Sequence, residues 1–134
     1  MQEKKKSSVA LYIRFARDPG EEQRNEMIQL QTAILTEYAA KMGWHPPMAV
    51  WSDIGFSGLN MNRPGLERLL RAIKNEEIDI CLVHDISRLS RDVKDLSSIL
   101  SLTDRHHVDI VSVKEGTMQK ERFLLNALRM RSEV

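Results

Sequence analysis

Four short apolar runs alternate along the chain with longer segments whose apolar residues recur at helical spacing, and this alternation limits the fold more than any other feature. The runs are Val9–Phe15, Pro47–Trp51, Ile78–Val83 and Val108–Val113, and the helical segments are Glu21–Met42, one opening at Pro64, one opening at Val93, and Glu121–Met130. This order predicts an α/β fold, a three-layer sandwich with a mostly parallel central sheet of four or five strands and helices on both faces.

Length, charge and cysteine content further restrict the class of protein. A chain of 134 residues has room for one ordinary domain, and a formal net charge of +1 excludes a polycation that coats nucleic acid through charge alone. A single cysteine, Cys81, and the lack of a secretory signal favour a reducing, cytoplasmic location, and no apolar stretch approaches the roughly 18 residues of a membrane span. No Cys/His set has the spacing of a zinc site, so we expect no metal.

Three polar segments, each directly after a predicted strand, hold the residues with the most chemistry. They are Arg14–Asp18, Asp53–Arg63 and His84–Asp92. In an open parallel sheet, ligands bind beyond the carboxyl ends of the strands. We therefore expect the three segments to converge on one edge of the sheet and to form the functional site there.

Four arginines belong to these segments: Arg14, Arg63, Arg88 and Arg91. Guanidinium groups gathered at one edge repel one another unless an anion lies between them, and their planar donors suit phosphate oxygens. Arg88 and Arg91 are three residues apart at a predicted helix start, where cations oppose the helix dipole. Each arginine taken alone could instead decorate the surface or pair with a carboxylate such as Asp53, Asp85 or Asp92. Taken together, the four favour a phosphate ligand.

Three motifs in these segments resemble the signature blocks of the serine site-specific recombinases, the resolvase/invertase group. They are Tyr12-Ile13-Arg14, Asp53-x-Gly55-x-Ser57-Gly58 followed by Arg63-Pro64, and Arg88-Leu89-Ser90-Arg91-Asp92. The resemblance covers residues 9–113, and the order and spacing of the blocks make it specific. It implies a basic tail over residues 1–8, a resolvase-like catalytic domain over residues 9–118, and the start of a C-terminal oligomerisation helix over residues 119–134.

The resemblance also implies an activity and a set of site residues. Serine recombinases cut DNA at a crossover site through a 5′-phosphoserine intermediate, need no cofactor or metal, and assemble as dimers or tetramers. Phosphoryl transfer asks mainly for positioning and charge stabilisation, which arginines can supply. By resemblance, Arg14, Arg88 and Arg91 flank the scissile phosphate, Arg63 joins them, and Asp53 orients an arginine or assists proton transfer. By the same resemblance, Tyr12 and Gln31 are supporting residues. Taken alone, Tyr12 could be only a packing aromatic of the strand, and Gln31 could be only part of the polar side of a helix.

One departure decides how far this activity extends to the chain. The family's nucleophilic serine falls at Ala16, which has no oxygen with which to attack, and Ser87 stands where an aspartate is usual. An engineered substitution, natural divergence, or replacement by another serine such as Ser87 or Ser90 would each account for Ala16, and the further departure at Ser87 favours natural divergence. The sequence therefore predicts a recombinase-like domain that does not cleave DNA as it stands.

Two other functions stay open at this point. The chain could be a non-catalytic relative that binds DNA or a partner and regulates an active recombinase by mixed assembly. It could also be a flavodoxin-like binding or receiver domain with chance arginines. The second is disfavoured because a receiver needs acidic residues after its first strand, where this chain has Arg14, Ala16 and Arg17.

Overall fold

Five strands form one sheet in the computed structural model, which describes residues 8–45 and 48–118. The strands are β1 Val9–Phe15, β2 Met48–Ile54, β3 Ile80–Val83, β4 Asp109–Ser112 and β5 Gly116–Met118, and the helices are α1 Glu21–Lys41, α2 Pro64–Lys74 and α3 Val93–Arg105, with a 3₁₀ turn at Ile86–Arg88. The sheet order is β2-β1-β3-β4-β5, with β5 antiparallel to β4 and the other pairs parallel. The predicted mostly parallel α/β sheet is confirmed.

Strand β1 lies inside the sheet because its residues are apolar on both faces. Six of its seven residues are buried, and it pairs with β2 on one side and β3 on the other. Successive side chains point to opposite faces, so Leu11 and Ile13 pack against Leu35 and Ala39 of α1. On the opposite face, Tyr12 packs with α2 and α3.

The helices complete a three-layer sandwich. Helix α1 follows β1 and covers one face, whereas α2 and α3 cover the other, with Leu66, Leu69 and Ile99 among their buried residues. The chain steps from β1 to β2 in one direction across the sheet and from β3 to β4 in the other. Right-handed crossovers in opposite directions place their helices on opposite faces, which accounts for this division.

Some element boundaries differ from the sequence prediction. Strand β2 runs on to Ile54, three residues beyond the predicted run, and β5 had no counterpart in the pattern. In the described ranges, β2 pairs with β1 alone and is an edge strand, which tolerates the polar Ser52 and Asp53. The predicted helix Glu121–Met130, residues 1–7, Pro46 and Pro47 lie outside the described residues. Within residues 8–45 and 48–118, no helix is both long and apolar enough to span a bilayer.

Candidate functional site

The site is built where β1 and β3 end, at the point where the order of the parallel strands reverses. Arg14 is the penultimate residue of β1 and lies in register with Asp53 of β2. Strand β3 leads directly into the turn that carries Arg88. Such reversal points leave a crevice at the carboxyl edge of an α/β sheet. The topology thus brings the three predicted polar segments to one edge.

Arg14 is buried at this edge and is held by backbone carbonyl groups. Its Nε donates to the carbonyl of Arg88 at 3.0 Å, its Nη2 to that of Ser87 at 2.8 Å, and its Nη1 to that of Phe56 at 3.1 Å. Only 3% of the residue is exposed. Burial, followed by the nearby charges of Arg63 and Arg88, lowers the pKa of Arg14 from its ordinary value. Arg14 therefore ties β1 to both neighbouring loops.

Arg63 is fully buried at the start of α2. Its Nη1 donates to the Tyr12 hydroxyl at 3.0 Å and to the carbonyl of Arg88 at 2.9 Å, and its Nη2 donates to the carbonyl of Leu89. Its Cζ lies 5.8 Å from the centroid of the Tyr12 ring. Within the described ranges, Nε finds no acceptor. Arg63 thus reaches the segment that carries Arg88 from inside the protein.

Asp53 and Tyr12 connect the sheet to that buried arginine. The Tyr12 hydroxyl donates to Asp53 Oδ2 at 2.5 Å, and the amides of Gly65 and Leu66 donate to Asp53 Oδ1 and Oδ2 at 2.8 and 2.9 Å. The carboxylate thereby caps the first turn of α2, whose amides have no partner within the helix. Burial and the hydrogen bond to Asp53 raise the pKa of Tyr12 well above its usual value, so the phenol stays protonated. Asp53 acts on Arg63 through Tyr12.

Arg88 pairs with a carboxylate as well as with Arg14. Its Nε donates to Asp85 Oδ2 at 3.1 Å and its Nη1 to the carbonyl of Arg14 at 2.9 Å, so each of the two arginines binds the backbone of the other. Its Cζ lies 5.6 Å from the centroid of the Phe15 ring. The side chain of Arg88 remains 27% exposed. The carboxylate pairing considered for single arginines is therefore present at Arg88.

Arg91 differs from the other three arginines because it is exposed. Its backbone amide donates to the carbonyl of Gly58 at 3.0 Å, which joins its loop to the loop after β2. Among the residues that the structure describes, its guanidinium makes no hydrogen bond or ion pair. Its aliphatic stem lies close to Arg14, since a Cβ atom built on Gly58 would lie 2.5 Å from Arg91 Cγ and 2.9 Å from Arg14 Nη2. Within the described part of the chain, Arg91 is thus the arginine whose guanidinium has no protein partner and can meet a ligand.

Three serine and alanine positions bear on the missing nucleophile. Ala16 is exposed just beyond the end of β1. Ser90 is fully buried, with its hydroxyl 3.2 Å from the carbonyl of Gly58, and the hydroxyl of Ser87 donates to Asp85. Gln31 is half-buried on α1 and has no hydrogen bond to the arginines in the described ranges. Neither Ser87 nor Ser90 presents a free hydroxyl at the edge.

Glu115, which follows β4 at the same edge, was not among the predicted site residues. Its Oε1 accepts hydrogen bonds from the amide of Ile86 at 3.1 Å and from the hydroxyl of Ser112. Glu115 therefore fixes the start of the turn that carries Arg88. No motif marked it, although its place two residues after the fourth predicted strand was a usable signal.

The site as a whole carries an excess of positive charge. The guanidinium groups of Arg14, Arg63, Arg88 and Arg91 gather at this edge, and among the described residues only that of Arg88 pairs directly with a carboxylate, that of Asp85. Nowhere in the described ranges do three His, Cys, Asp or Glu side chains cluster as they would to hold a metal ion. An anion is the ligand that this arrangement favours.

These features define a three-layer α/β domain whose parallel sheet gathers arginines at its carboxyl edge. The family model of the resolvase N-terminal domain matches residues 9–134, and the chain belongs to that family. The N-terminal catalytic domain of TP901-1 integrase is similar at 29% identity and a TM-score of 0.76, over 95% of this chain and 99% of that one.

Two further solved structures extend the comparison. The C-terminal catalytic domain of ISC1926 TnpA, an IS607-like serine recombinase, is 27% identical with a TM-score of 0.67, over 90% of this chain and 77% of that one. A resolvase family site-specific recombinase from Streptococcus pneumoniae shares the fold at 22% identity and a TM-score of 0.72, over 96% of this chain and 87% of that one. No match was found among curated protein sequences. The chain therefore has the fold of serine recombinase catalytic domains.

Proposed function

We propose that this domain binds backbone phosphates of DNA at its arginine edge and, because Ala16 stands at the nucleophile position, does not cleave the strand. The observation that supports binding most strongly is the gathering of four arginines at a strand edge where, among the described residues, only Arg88 is ion-paired and Arg91 is exposed. Family membership gives the anion its class, since the similar structures are recombinases and an integrase.

The four arginines have different roles in binding because they differ in burial. Arg14 and Arg63 are 3% and 0% exposed, and the donors they use are spent on backbone carbonyls and the Tyr12 hydroxyl, so they form the inner frame. Arg91 and the partly exposed Arg88 are the groups that meet the phosphate oxygens. The frame still contributes to binding, because its buried charges raise the potential at the edge.

We expect no cleavage because the attacking oxygen is missing, although the arginines that would stabilise the charge are present. Phosphoryl transfer needs an oxygen in line with the phosphorus at about 3–3.5 Å, and Ala16 offers a methyl group. Ser90 is buried and Ser87 is bonded to Asp85, so neither replaces the missing hydroxyl. A domain that binds the crossover phosphate without cutting it would serve as a non-catalytic partner in dimers or tetramers with an active recombinase.

Fluorescence anisotropy with a labelled duplex of about 30 base pairs, titrated between about 50 and 200 mM salt, tests the binding. Arg91→Ala is expected to weaken binding roughly tenfold and to reduce the slope of log K against log salt by about 0.9, the value for one phosphate contact. Arg105→Ala is the matched control, because Arg105 is an exposed arginine at the opposite end of α3.

Two results would overturn the proposal. Equal slopes for the Arg91→Ala and Arg105→Ala proteins would remove the arginine edge as the DNA site. Incubating the unaltered chain with supercoiled plasmid carrying the crossover site tests the absence of cleavage, and an SDS-resistant protein–DNA adduct would contradict it.

A further inference from the structure

Two loops of the site meet at one backbone carbonyl, that of Gly58. It accepts the amide of Arg91 at 3.0 Å and the hydroxyl of Ser90 at 3.2 Å. Gly58 and Ser90 are both buried. The Ser90 hydroxyl lies also 3.0 Å from the amide of Asp92, which donates to it and closes the turn into α3. The loop after β2 is thereby joined to the loop that carries Arg91.

The missing side chain at Gly58 leaves room for that arginine. A Cβ atom added there would lie 2.5 Å from Arg91 Cγ, 3.0 Å from Arg91 Cδ and 2.9 Å from Arg14 Nη2. Carbon atoms in contact prefer separations of about 3.5–4.0 Å. The backbone of Gly58 is not in the left-handed region that itself favours glycine. Glycine is therefore required by the close approach of two arginines, and not by its backbone conformation.

We propose that Gly58 and Ser90 are positioning residues that hold the aliphatic stem of Arg91 across the loop after β2, so that its exposed guanidinium lies beside Arg14 at the phosphate. The hydrogen bonds to the Gly58 carbonyl fix the backbone from which the Arg91 side chain extends. The lack of a Cβ atom at Gly58 lets the aliphatic part of that side chain pass close to the Gly58 backbone. This inference rests on the proposed function, since it assigns the geometry of the same phosphate site.

The contacts by which Gly58 and Ser90 hold the Arg91 stem are called the latch below. Holding two cations together is unfavourable without an anion, so the latch is expected to favour a phosphate between Arg14 and Arg91. Like charges in a partly buried place interact more strongly than in water. The charge of Arg91 contributes to the lowered pKa of Arg14, which agrees with their close approach. A latch that resists this repulsion keeps the anion site open before the ligand arrives, which reduces the ordering needed on binding.

Gly58→Ala in the full chain tests the proposal, with Gly43→Ala as its control. Gly43 has φ of 82° and no atom within 4 Å of an added Cβ, so alanine there strains the backbone without touching the site. In the anisotropy titration, Gly58→Ala is expected to weaken DNA binding roughly tenfold and to lower the salt slope by about 0.9, as Arg91→Ala does. Gly43→Ala should lose stability and keep the unaltered slope.

A double substitution separates the latch from a general loss of packing. If Gly58 acts through Arg91, the Gly58→Ala/Arg91→Ala protein should bind DNA no more weakly than Arg91→Ala alone. Ser90→Ala removes one of the two bonds to the Gly58 carbonyl without adding an atom, and a smaller loss of affinity is expected. This variant keeps the test valid if Gly58→Ala does not fold.

The outcomes distinguish the positioning role of Gly58 and Ser90 from the proposed phosphate binding on which that role depends. An unaltered salt slope in both Gly58→Ala and Ser90→Ala, with a reduced slope in Arg91→Ala, would overturn the positioning role alone. An unaltered slope in Arg91→Ala would overturn the proposed phosphate site. In that case crystal structures of the Gly58→Ala and unaltered proteins decide the positioning role, and an Arg91 stem that keeps its place would refute it.

Discussion

The carboxylate of Asp85 is hydrogen-bonded to three neighbouring side chains. Its Oδ2 lies 3.1 Å from both Arg88 Nε and His84 Nδ1, and its Oδ1 accepts the hydroxyl of Ser87. Burial acts to raise the pKa of Asp85, but the hydrogen bonds from Ser87 and His84 and the charge of Arg88 outweigh it, and the pKa lies below its ordinary value. Asp85 is therefore the anionic support of Arg88, two residues before the position where the family usually has an aspartate.

Asp85→Asn is expected to lower the free energy of unfolding by roughly 1–3 kcal/mol near neutral pH, the usual cost of losing hydrogen bonds to a charged group. Because the folded-state pKa of Asp85 is lowered, its contribution is complete above the unfolded value of about 3.9 and is lost as pH falls through the lower folded value. Urea denaturation at about pH 7, 5 and 3 should show the gap between the two proteins closing only at the lowest pH.

Asp109→Asn is the control for this experiment, because Asp109 is an exposed residue of β4. It should change the stability by less than about 0.5 kcal/mol at each pH. A gap between Asp85→Asn and the unaltered protein that stays constant down to about pH 3 would contradict the assigned role of the carboxylate.

The convergence of the arginines could be predicted from sequence, but their burial could not. Strand ends in a parallel sheet meet at one edge, so the positions of Arg14 and Arg88 followed from the strand pattern. The burial of Arg63 depends on the carbonyls of Arg88 and Leu89, which lie 25 and 26 residues further along the chain. No local pattern reports that such distant carbonyls are available. The link from Asp53 to Arg63 through Tyr12 was hidden for the same reason.

At the scale of elements, the first turn of α2 packs directly against strand β2. A Cβ added to Gly65 would lie 2.8 Å from the carbonyl oxygen of Ser52 and 2.9 Å from Asp53 Oδ2. The amide of Gly65 donates to Asp53 Oδ1 at 2.8 Å. The bare Cα at this position allows the helix to begin close enough to the sheet for a strand residue to cap it.

Gly65→Ala separates helix propensity from this contact because the two have opposite signs. Propensity alone would stabilise α2 by about 1 kcal/mol, whereas overpacking against a backbone oxygen costs about 1–3 kcal/mol. We expect net destabilisation, measured as a lower urea midpoint with an unchanged m-value. A higher midpoint would show that α2 shifts away from β2 without cost, and that its cap is not tied to close packing.

The elements that the sequence predicted share strong patterns, and the ones it missed do not. Strand β1 is apolar over nearly its whole length, and α2 begins at the proline that the pattern placed in its first turn. Strand β5 has three residues, Gly116–Met118, and depends on pairing with β4 more than on its own composition. The polar end of β2 reads as a loop because its pairing with β1, and not its residues, makes it a strand.

For the whole molecule, a small net charge hides an uneven distribution. The chain has 20 basic and 19 acidic residues, yet four guanidinium groups gather at one edge of the sheet, where in the described ranges only Arg88 is ion-paired. Two of those cations are buried and cannot move away from one another. The folded state therefore holds a local repulsion that the unfolded chain does not have, and an anion that binds there should stabilise folding.

Sulfate tests this linkage without DNA. A ligand that binds only the folded state at about ten times its Kd adds about 1.4 kcal/mol of stability, or a rise of roughly 3–6 °C in Tm for a domain of this size. Sulfate also stabilises proteins by exclusion from their surface, so the comparison is between variants, in sulfate and in chloride at equal ionic strength. The unaltered chain and Arg105→Ala should gain the same Tm, whereas Arg91→Ala should gain less because it has lost the exposed guanidinium. Equal gains in all three proteins would mean that the edge binds no anion, and that the repulsion among its arginines is balanced by the surrounding carbonyl groups alone.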